Sequence, residues 1–250
     1  MAGALVVGGG RGIGAAVVAA LAASGHDVTF TYRTDADAVA AQVAALREDH
    51  PAGRFEAVAL DLSDRDAVEA FALAQEAAEP LAVLVHAGGT TYDILAAVMD
   101  QDRAERLMQV NFWSFTRLAR AAVRPMTRAR FGRIVAVGSV IGQVASPGNA
   151  AYASSKAAML AYVRSLAIES ARRGVTVNAV APGFVDTDML APFAAHRAAN
   201  EARIPAGRYA AAVEVAAVVA FLASSAAGYV TGALIPVDGG LTASLGVARG

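Results

Sequence analysis

Residues 4–14 read Ala4-Leu5-Val6-Val7-Gly8-Gly9-Gly10-Arg11-Gly12-Ile13-Gly14, an apolar run that ends in glycines and leads directly into an alanine-rich segment of helical character. The order strand, tight turn, helix opens a βα unit. Glycines have no Cβ to hold another group away, so the N–H groups of such a turn can approach a pyrophosphate, and the helix N-terminus adds partial positive charge. A merely tight βα turn would use the same residues, so the surrounding chain has to decide.

Outward from this turn, short β-branched runs alternate with longer helical segments. Strands are predicted at 4–7, 28–32, 55–60, 82–86, 133–137, 176–181 and 233–237, and helices at 12–24, 36–48, 65–78, 102–123, 152–172 and 211–223. The alternation predicts an α/β fold: a doubly wound, seven-stranded parallel sheet of the Rossmann type, covered on both faces. With 250 residues and no linker, charge block or repeat, a single domain is expected. In such a sheet ligands bind beyond the carboxyl ends of the strands, so the loops after each strand are where chemistry is sought.

Composition narrows the partners. A net charge of -1, with both signs dispersed, gives no electrostatic reason to expect nucleic acid or an anionic membrane surface. There is no cysteine for a disulfide or thiolate metal site, and His26, His50, His86 and His196 lack the spacing of metal ligands. No metal is expected. The apolar start, 1–7, stops at Gly8 without a basic leader, and the stretch 210–230 is interrupted by Glu214, Ser224 and Ser225. The sequence therefore predicts a soluble, cytoplasmic protein without a membrane span.

Where an NAD enzyme carries Asp or Glu near the end of the second strand, this chain has Tyr32-Arg33. Arg33 and Arg11 together would suit a ribose 2′-phosphate, which predicts NADPH over NADH; two solvated surface arginines are the plainer alternative. Asp61-Leu62, after the third strand, is placed to accept from an adenine amino group and pack on its ring. Asp61 could equally cap the next helix, although Ser63 and Asp64 suit that role better.

Tyr152 and Lys156 are four residues apart and share a helix face. A nearby ammonium favours phenolate, so Lys156 is expected to lower the tyrosine pKa and make Tyr152 the better general acid. Alone, the pair describes many helix surfaces. Ser139 adds weight, because it follows the fifth strand and reaches Tyr152 through a Gly/Pro-containing loop, suiting it to orient a substrate carbonyl. Asn111 sits in the apolar segment 102–123, where a polar side chain either joins a network or costs stability. A water-mediated proton path to Lys156 and a helix-bending bond to backbone both fit it.

These landmarks, in order, resemble the short-chain dehydrogenase/reductases over the whole chain, and particularly the 3-oxoacyl-[acyl-carrier-protein] reductases. They are Gly8-x-x-x-Gly12-x-Gly14, Asp61-Leu62, Asn111, Ser139, Tyr152-x-x-x-Lys156, Pro182-Gly183 with Thr187, and Val237-Asp238-Gly239-Gly240. The narrower likeness rests on Arg124-Pro-Met, Phe131-Gly-Arg-Ile-Val, the run from Val175 to Phe184, Thr187-Asp-Met and Ile204-Pro-Ala-Gly-Arg208. The resemblance implies a catalytic tetrad of Asn111, Ser139, Tyr152 and Lys156. It also implies cofactor contacts from Gly8, Gly10, Arg11, Gly12, Ile13, Gly14, Arg33, Asp61, Leu62, Ala87, Gly88, Tyr152, Lys156, Pro182, Gly183, Val185 and Thr187. Lys156 would bind the nicotinamide ribose and Thr187 the carboxamide. An acyl carrier protein as partner, docked by Arg128, Arg130, Arg172 and Arg173 near the pocket mouth, and a homotetramer built on the helix at 152–172 and the C-terminal segment, are likewise implied by resemblance.

The chain also departs from the pattern. Val7 replaces the usual Thr before the first glycine, removing a hydroxyl that braces the loop. His86-Ala87-Gly88-Gly89 replaces Asn-Asn-Ala-Gly, and Asn149-Ala150-Ala151 replaces Gln-Ala-Asn before the tyrosine. Residues 188–209, with Pro192, Phe193, Pro205 and Gly207, are predicted to form a lid over the substrate. The leading expectation is reduction of a 3-oxoacyl thioester of fatty-acid or polyketide type, linked to carrier protein or coenzyme A. The alternatives are an NADP(H) oxidoreductase of a free ketone, sugar or secondary alcohol, and a non-catalytic NADP-binding module.

Overall fold

The computed structural model describes residues 3–244, apart from the side chains of Pro192 and Phe193. Each predicted strand forms, within two residues of its expected ends: β1 (Gly3–Val7), β2 (Asp27–Tyr32), β3 (Phe55–Ala59), β4 (Val83–His86), β5 (Gly132–Val137), β6 (Val175–Pro182) and β7 (Leu234–Val237). They make one sheet of order β3-β2-β1-β4-β5-β6-β7, with every described pairing parallel. All residues of β4, β5 and β6 are buried, which is why these strands read as unbroken apolar runs rather than alternating ones.

The helices are α1 (Gly12–Ala23), α2 (Ala36–Asp49), α3 (Arg65–Ala77), α4 (Gln101–Met108), α5 (Ser114–Ala129), α6 (Ala150–Ser170), α7 (Arg197–Glu201) and α8 (Ala212–Ala223). Val17 and Leu21 of α1 and Val215 and Val219 of α8 pack with Val6, Phe30 and Val85 on one face. On the other, Val68 of α3, Phe115 and Leu118 of α5, and Met159 and Val163 of α6 pack with Leu5, Leu84 and Ile134. Neighbouring residues Leu5 and Val6 thus enter opposite layers, as the pleat requires. Each such fully buried side chain contributes about 1.5–3 kcal/mol, so the apolar runs decide where strands lie.

Two regions differ from the sequence expectation. The helix predicted at 102–123 is α4 and α5 joined by a π-helical turn, Gln109–Trp113, and it continues past Pro125 to Ala129. Pro125 lacks the N–H for its place in the ladder, but it is buried beside Ala122 and Met126, and that apolar burial carries the helix through. The segment 188–209 is ordered into a 3-10 run, Asp188–His196, followed by α7. A parallel bridge between Val185 and Ala210 closes its base.

The chain reverses its direction of winding between β1 and β4, and the crevice at their carboxyl ends is the expected ligand site. The loops after these strands touch. A Cβ on Gly8, whose φ is +78°, would lie 2.7 Å from Gly88 Cα, so neither loop admits a side chain there.

Candidate active site

The turn after β1 is built for close approach. A Cβ on Gly14 would stand 1.9 Å from the Gly8 carbonyl oxygen, and one on Gly12 would stand 3.3 Å from Thr187 Cγ2. The first turn of α1 has no side-chain cap and no acidic residue, so its N–H groups and positive end remain available to an anion. A pyrophosphate fits this donor set. Sequence reasoning missed what braces the loop in place of a Thr at position 7. The Gly8 N–H donates to Thr31 Oγ1 at 3.0 Å, Gly9 N–H donates to the Thr31 carbonyl at 2.8 Å, and Gln42 Nε2 donates to the Gly9 carbonyl at 3.1 Å. Thr31, a polar residue buried in the middle of a sheet, was the available signal.

Around this turn, Leu62 is buried with its Cδ1 against Gly88, so its place beside the switch-point loops is fixed by contact. Ala87 N–H donates to the Val7 carbonyl at 2.9 Å. Asp61 Oδ1 accepts from both the N–H and the hydroxyl of Ser63, at 2.9 and 2.8 Å, while Asp64 caps α3. Those bonds, led by the Ser63 N–H and helped by the charge of Arg33, hold the Asp61 carboxyl below its usual range. Arg33 is therefore close to Asp61, and both Arg11 and Arg33 are exposed at the rim of the turn. Gly183 has a packing reason of its own: a Cβ there would sit 2.9 Å from Asp238 Cβ.

The four polar residues singled out after β4, β5 and on α6 come together. Ser139 leaves β5 in extended conformation, accepts from Ile141 N–H at 3.2 Å, and lies close enough to Tyr152 for its hydroxyl to pull the phenol pKa down. Lys156 is buried, with Nζ 5.8 Å from the centre of the Tyr152 ring. Asn111 is fully buried in the π-helical turn. Its Oδ1 accepts from Thr90 N–H at 2.8 Å, and its Nδ2 donates to the Thr90 carbonyl and to Ser155 Oγ, both at 3.0 Å. Asn111 Oδ1 and Lys156 Nζ converge on Gly89, where an added Cβ would stand 3.5 and 3.6 Å from them.

The electrostatics differ from expectation at one point. Burial raises the Tyr152 pKa and the Asp93 carboxylate adds to the rise, while the Ser139 hydroxyl pulls the other way. The net shift is upward, not the lowering expected from the Lys156 ammonium, whose Nζ donates to the Val137 carbonyl at 3.0 Å. Burial instead pushes Lys156 itself down to about 8. Asp93, another residue the sequence did not single out, hydrogen-bonds Asn149 just ahead of α6, and burial raises its own pKa.

The region 188–209 is tied at both ends. Arg197 grips Asp186 with both terminal nitrogens, at 3.0 and 3.2 Å, bonds Glu201 at 2.9 Å and lies over Tyr209 at 4.7 Å. Ala206 N–H donates to the Gly239 carbonyl, and Pro205 meets Gly240. The four arginines expected to dock a carrier lie away from this chain's own Tyr152. Arg128 and Arg130 end α5 and precede β5, and Arg172 and Arg173 end the chain path of α6 and precede β6. They therefore sit at the amino edge of the sheet, about 30 Å from Tyr152 along α6. Among the described residues there is no cluster of three potential metal ligands and no helix long and apolar enough to cross a membrane.

Comparison with known proteins fits this geometry. The family model described as Enoyl-(Acyl carrier protein) reductase matches residues 7–242. The 3-oxoacyl-[acyl-carrier-protein] reductase FabG of Pseudomonas aeruginosa is 41% identical over 241 residues, covering 95% of this chain and 96% of that protein. The 3-oxoacyl-[acyl-carrier-protein] reductase MabA of Mycobacterium tuberculosis is 40% identical over 245 residues, covering 95% and 91%. A putative NAD(P)-dependent gluconate 5-dehydrogenase from Beutenbergia cavernae, solved with bound NADP, is 37% identical with a TM-score of 0.91 and covers 97% of each chain.

Proposed function

This chain belongs to the short-chain dehydrogenase/reductase family, and from that premise we propose that it is an NADPH-dependent reductase of 3-oxoacyl thioesters, carried on acyl carrier protein or coenzyme A. Its enzyme class is oxidoreductase and its cofactor is NADPH. In our reading the uncapped start of α1 with Gly8, Gly10, Gly12, Ile13 and Gly14 holds the pyrophosphate. Arg11 and Arg33 hold the 2′-phosphate, and Asp61, Leu62, Ala87 and Gly88 take the adenosine end. Lys156, Pro182, Gly183, Val185 and Thr187 take the nicotinamide end. When bound, the reduced nicotinamide supplies the hydride for the carbonyl carbon.

Tyr152 then gives its phenolic proton to the carbonyl oxygen: its O–H bond breaks as the substrate O–H bond forms. Ser139 orients that oxygen by donating its one hydroxyl proton to it. Lys156 Nζ, held near 8, returns a proton toward Tyr152 close to neutral pH, and the Asn111 amide lines the path behind it. The observation that carries the reading is the convergence of Lys156 Nζ, 5.8 Å from the Tyr152 ring centre, and Asn111 Oδ1 on Gly89 at the carboxyl edge of the sheet.

The acyl thioester is favoured by the rim. Leu95 and Val98 after β4, Val144 after β5 and Met189 after β6 are exposed apolar side chains on loops at the carboxyl edge, which suits an acyl chain and not a polyol. Residues 188–203 form the lid in this reading, with 204–209 as its anchored hinge side. Exposed Ile168 on α6 supports self-association through that helix, as a homotetramer would require. A second reading, oxidoreduction of a sugar acid, is favoured by the gluconate dehydrogenase likeness.

A panel of acetoacetyl and longer 3-oxoacyl thioesters, run beside gluconate and its keto product with NADPH oxidation or NADP reduction as readout, separates the two. Thioester turnover supports the proposal, and turnover of the sugar acid alone replaces it. Tyr152→Phe should lower kcat by about 10²–10⁴ and leave NADPH binding intact. Unchanged turnover in that variant would remove Tyr152 as the proton donor.

A further inference from the structure

We propose that His86 is a positioning residue of this site: through the Ser114 hydroxyl it fixes the π-helical turn that holds the Asn111 amide on Thr90 and Ser155, beside the Gly89 backbone that Lys156 Nζ also approaches. The proposal rests on the reading of Asn111 and Lys156 as part of the reacting centre.

His86 ends β4, in register with Val7 of β1 and Ala136 of β5, at the middle of the carboxyl edge. It is fully buried, its ring tilted against Phe115 at 5.4 Å. Its Nε2 lies 2.9 Å from Ser114 Oγ, and Nδ1 has no hydrogen-bond partner among the described residues. An apolar side chain would fill this place without stranding a buried nitrogen. What the imidazole gives in return is the bond to Ser114.

That bond acts on a break in the helix. In the π-helical turn the Ser114 N–H reaches back to the Gln109 carbonyl, five residues away, and so abandons its α-helical acceptor, the carbonyl of Val110. The Ser114 hydroxyl replaces it, donating to the Val110 carbonyl at 2.6 Å. A hydroxyl has one proton, and here it is committed to Val110. Nε2 of His86 must therefore carry the hydrogen and donate to Ser114 Oγ, which leaves Nδ1 as a bare acceptor. The chain His86, Ser114, Val110 runs from the sheet edge to the residue before Asn111.

Asn111 depends on that turn, since its amide has to meet both the N–H and the carbonyl of Thr90 and also Ser155. A one-residue shift in helical phase would swing it off all three. Burial, with the charge of Lys156, keeps His86 neutral by holding its pKa down to about 3, so the strut does not switch across the working pH range.

The test compares His86→Phe, His86→Gln, Ser114→Ala and the His86→Phe/Ser114→Ala double variant, with Tyr152→Phe alongside. The Gln amide can still donate toward Ser114, whereas Phe cannot. We expect His86→Phe and Ser114→Ala each to lower kcat about tenfold with KM for NADPH changed less than about twofold, the double variant to be no worse than either, and Gln to restore most of the rate. Independently of turnover, the Thr90 amide should exchange its hydrogen about tenfold faster in both single variants. Additive losses, or unchanged kcat and Thr90 protection, overturn the proposal. If Tyr152→Phe retains full turnover, the reading of the centre fails, while Thr90 exchange still judges the strut. If His86→Phe does not fold, Ser114→Ala and His86→Gln decide by the same two readouts.

Discussion

Lys156 Nζ donates to the main-chain carbonyl of Val137 at 3.0 Å, so the buried lysine of this site is anchored by strand β5 and not by Tyr152. The arrangement keeps a charged ammonium in a dry setting, and burial holds its pKa down to about 8 against 10.5 in water.

A stability prediction follows from that pair of values. Between pH 8 and 10.5 the unfolded chain binds the lysine proton more strongly than the folded one, so stability rises with pH across that window and the penalty is complete below it. The penalty amounts to about 3 kcal/mol, and the bond to Val137 returns about 1 kcal/mol. Lys156→Met in the cofactor-free protein should therefore raise Tm at pH 7 by about 5 °C. The gain should shrink toward pH 10.5, while turnover falls at least about 100-fold. Calorimetry at several pH values checks this, and a lower Tm at pH 7 would show that the site does not store this penalty.

The phosphate-loop brace gives a prediction of a different kind. Thr31→Val keeps shape but removes the acceptor of the Gly8 N–H. The cost of one lost hydrogen bond is about 1 kcal/mol, so Kd for NADPH should rise about fivefold, with kcat at saturating NADPH unchanged. Thr31→Ser should bind as the parent does. Titration by fluorescence measures it; equal Kd values for Val and Ser would mean that the loop holds its form without this bond.

What the sequence revealed and what it hid divide along physical lines. Strands β4, β5 and β6 were legible because burial on both faces leaves only apolar residues, and Gly8 to Gly14 because close approach tolerates no Cβ. Tyr152 and Lys156 were legible because helix periodicity alone puts them on one face. The direction of the Tyr152 shift was not, since burial, which raises it, is set by tertiary packing that the spacing of the two residues does not reveal. The π-helical turn around Asn111 was equally hidden: its bonds to Thr90 and Ser155 join residues 21 and 44 positions away in sequence.

Cofactor choice tests the rim of the turn. Arg33 is exposed, close to Asp61, and replaces the acid that would bind a 2′-hydroxyl. Arg33→Ser removes a cation without adding a carboxylate, so kcat/KM with NADPH should fall about 10- to 100-fold while that with NADH changes by less than about threefold. Steady-state kinetics with both nucleotides is the check. Equal losses with the two would show that Arg33 supports the loop rather than reading the phosphate.

The segment 188–209, proposed above as a lid, offers the last prediction. Asp186 and Arg197 are both partly exposed, so their attraction adds little to global stability. Geometry gives the pair its importance. Asp186 immediately precedes Thr187, which touches Gly12 of the phosphate loop, and Arg197 opens α7. The guanidinium also covers Tyr209, which stacks on Phe184 at 5.2 Å and accepts from Asn200 at 3.0 Å. One side chain thus joins the start of the excursion, its short helix and its return. Arg197→Ala should leave Tm within about 2 °C of the parent and raise substrate KM about tenfold, with a smaller change in kcat, because the proposed lid, once unlatched, orders less well over the ligand. Since salt screens exposed pairs, raising ionic strength to about 1 M should increase substrate KM in the parent and have little effect in the variant. A parent KM indifferent to salt, together with an unchanged KM in Arg197→Ala, would show that the contact shapes the surface without governing access to Tyr152.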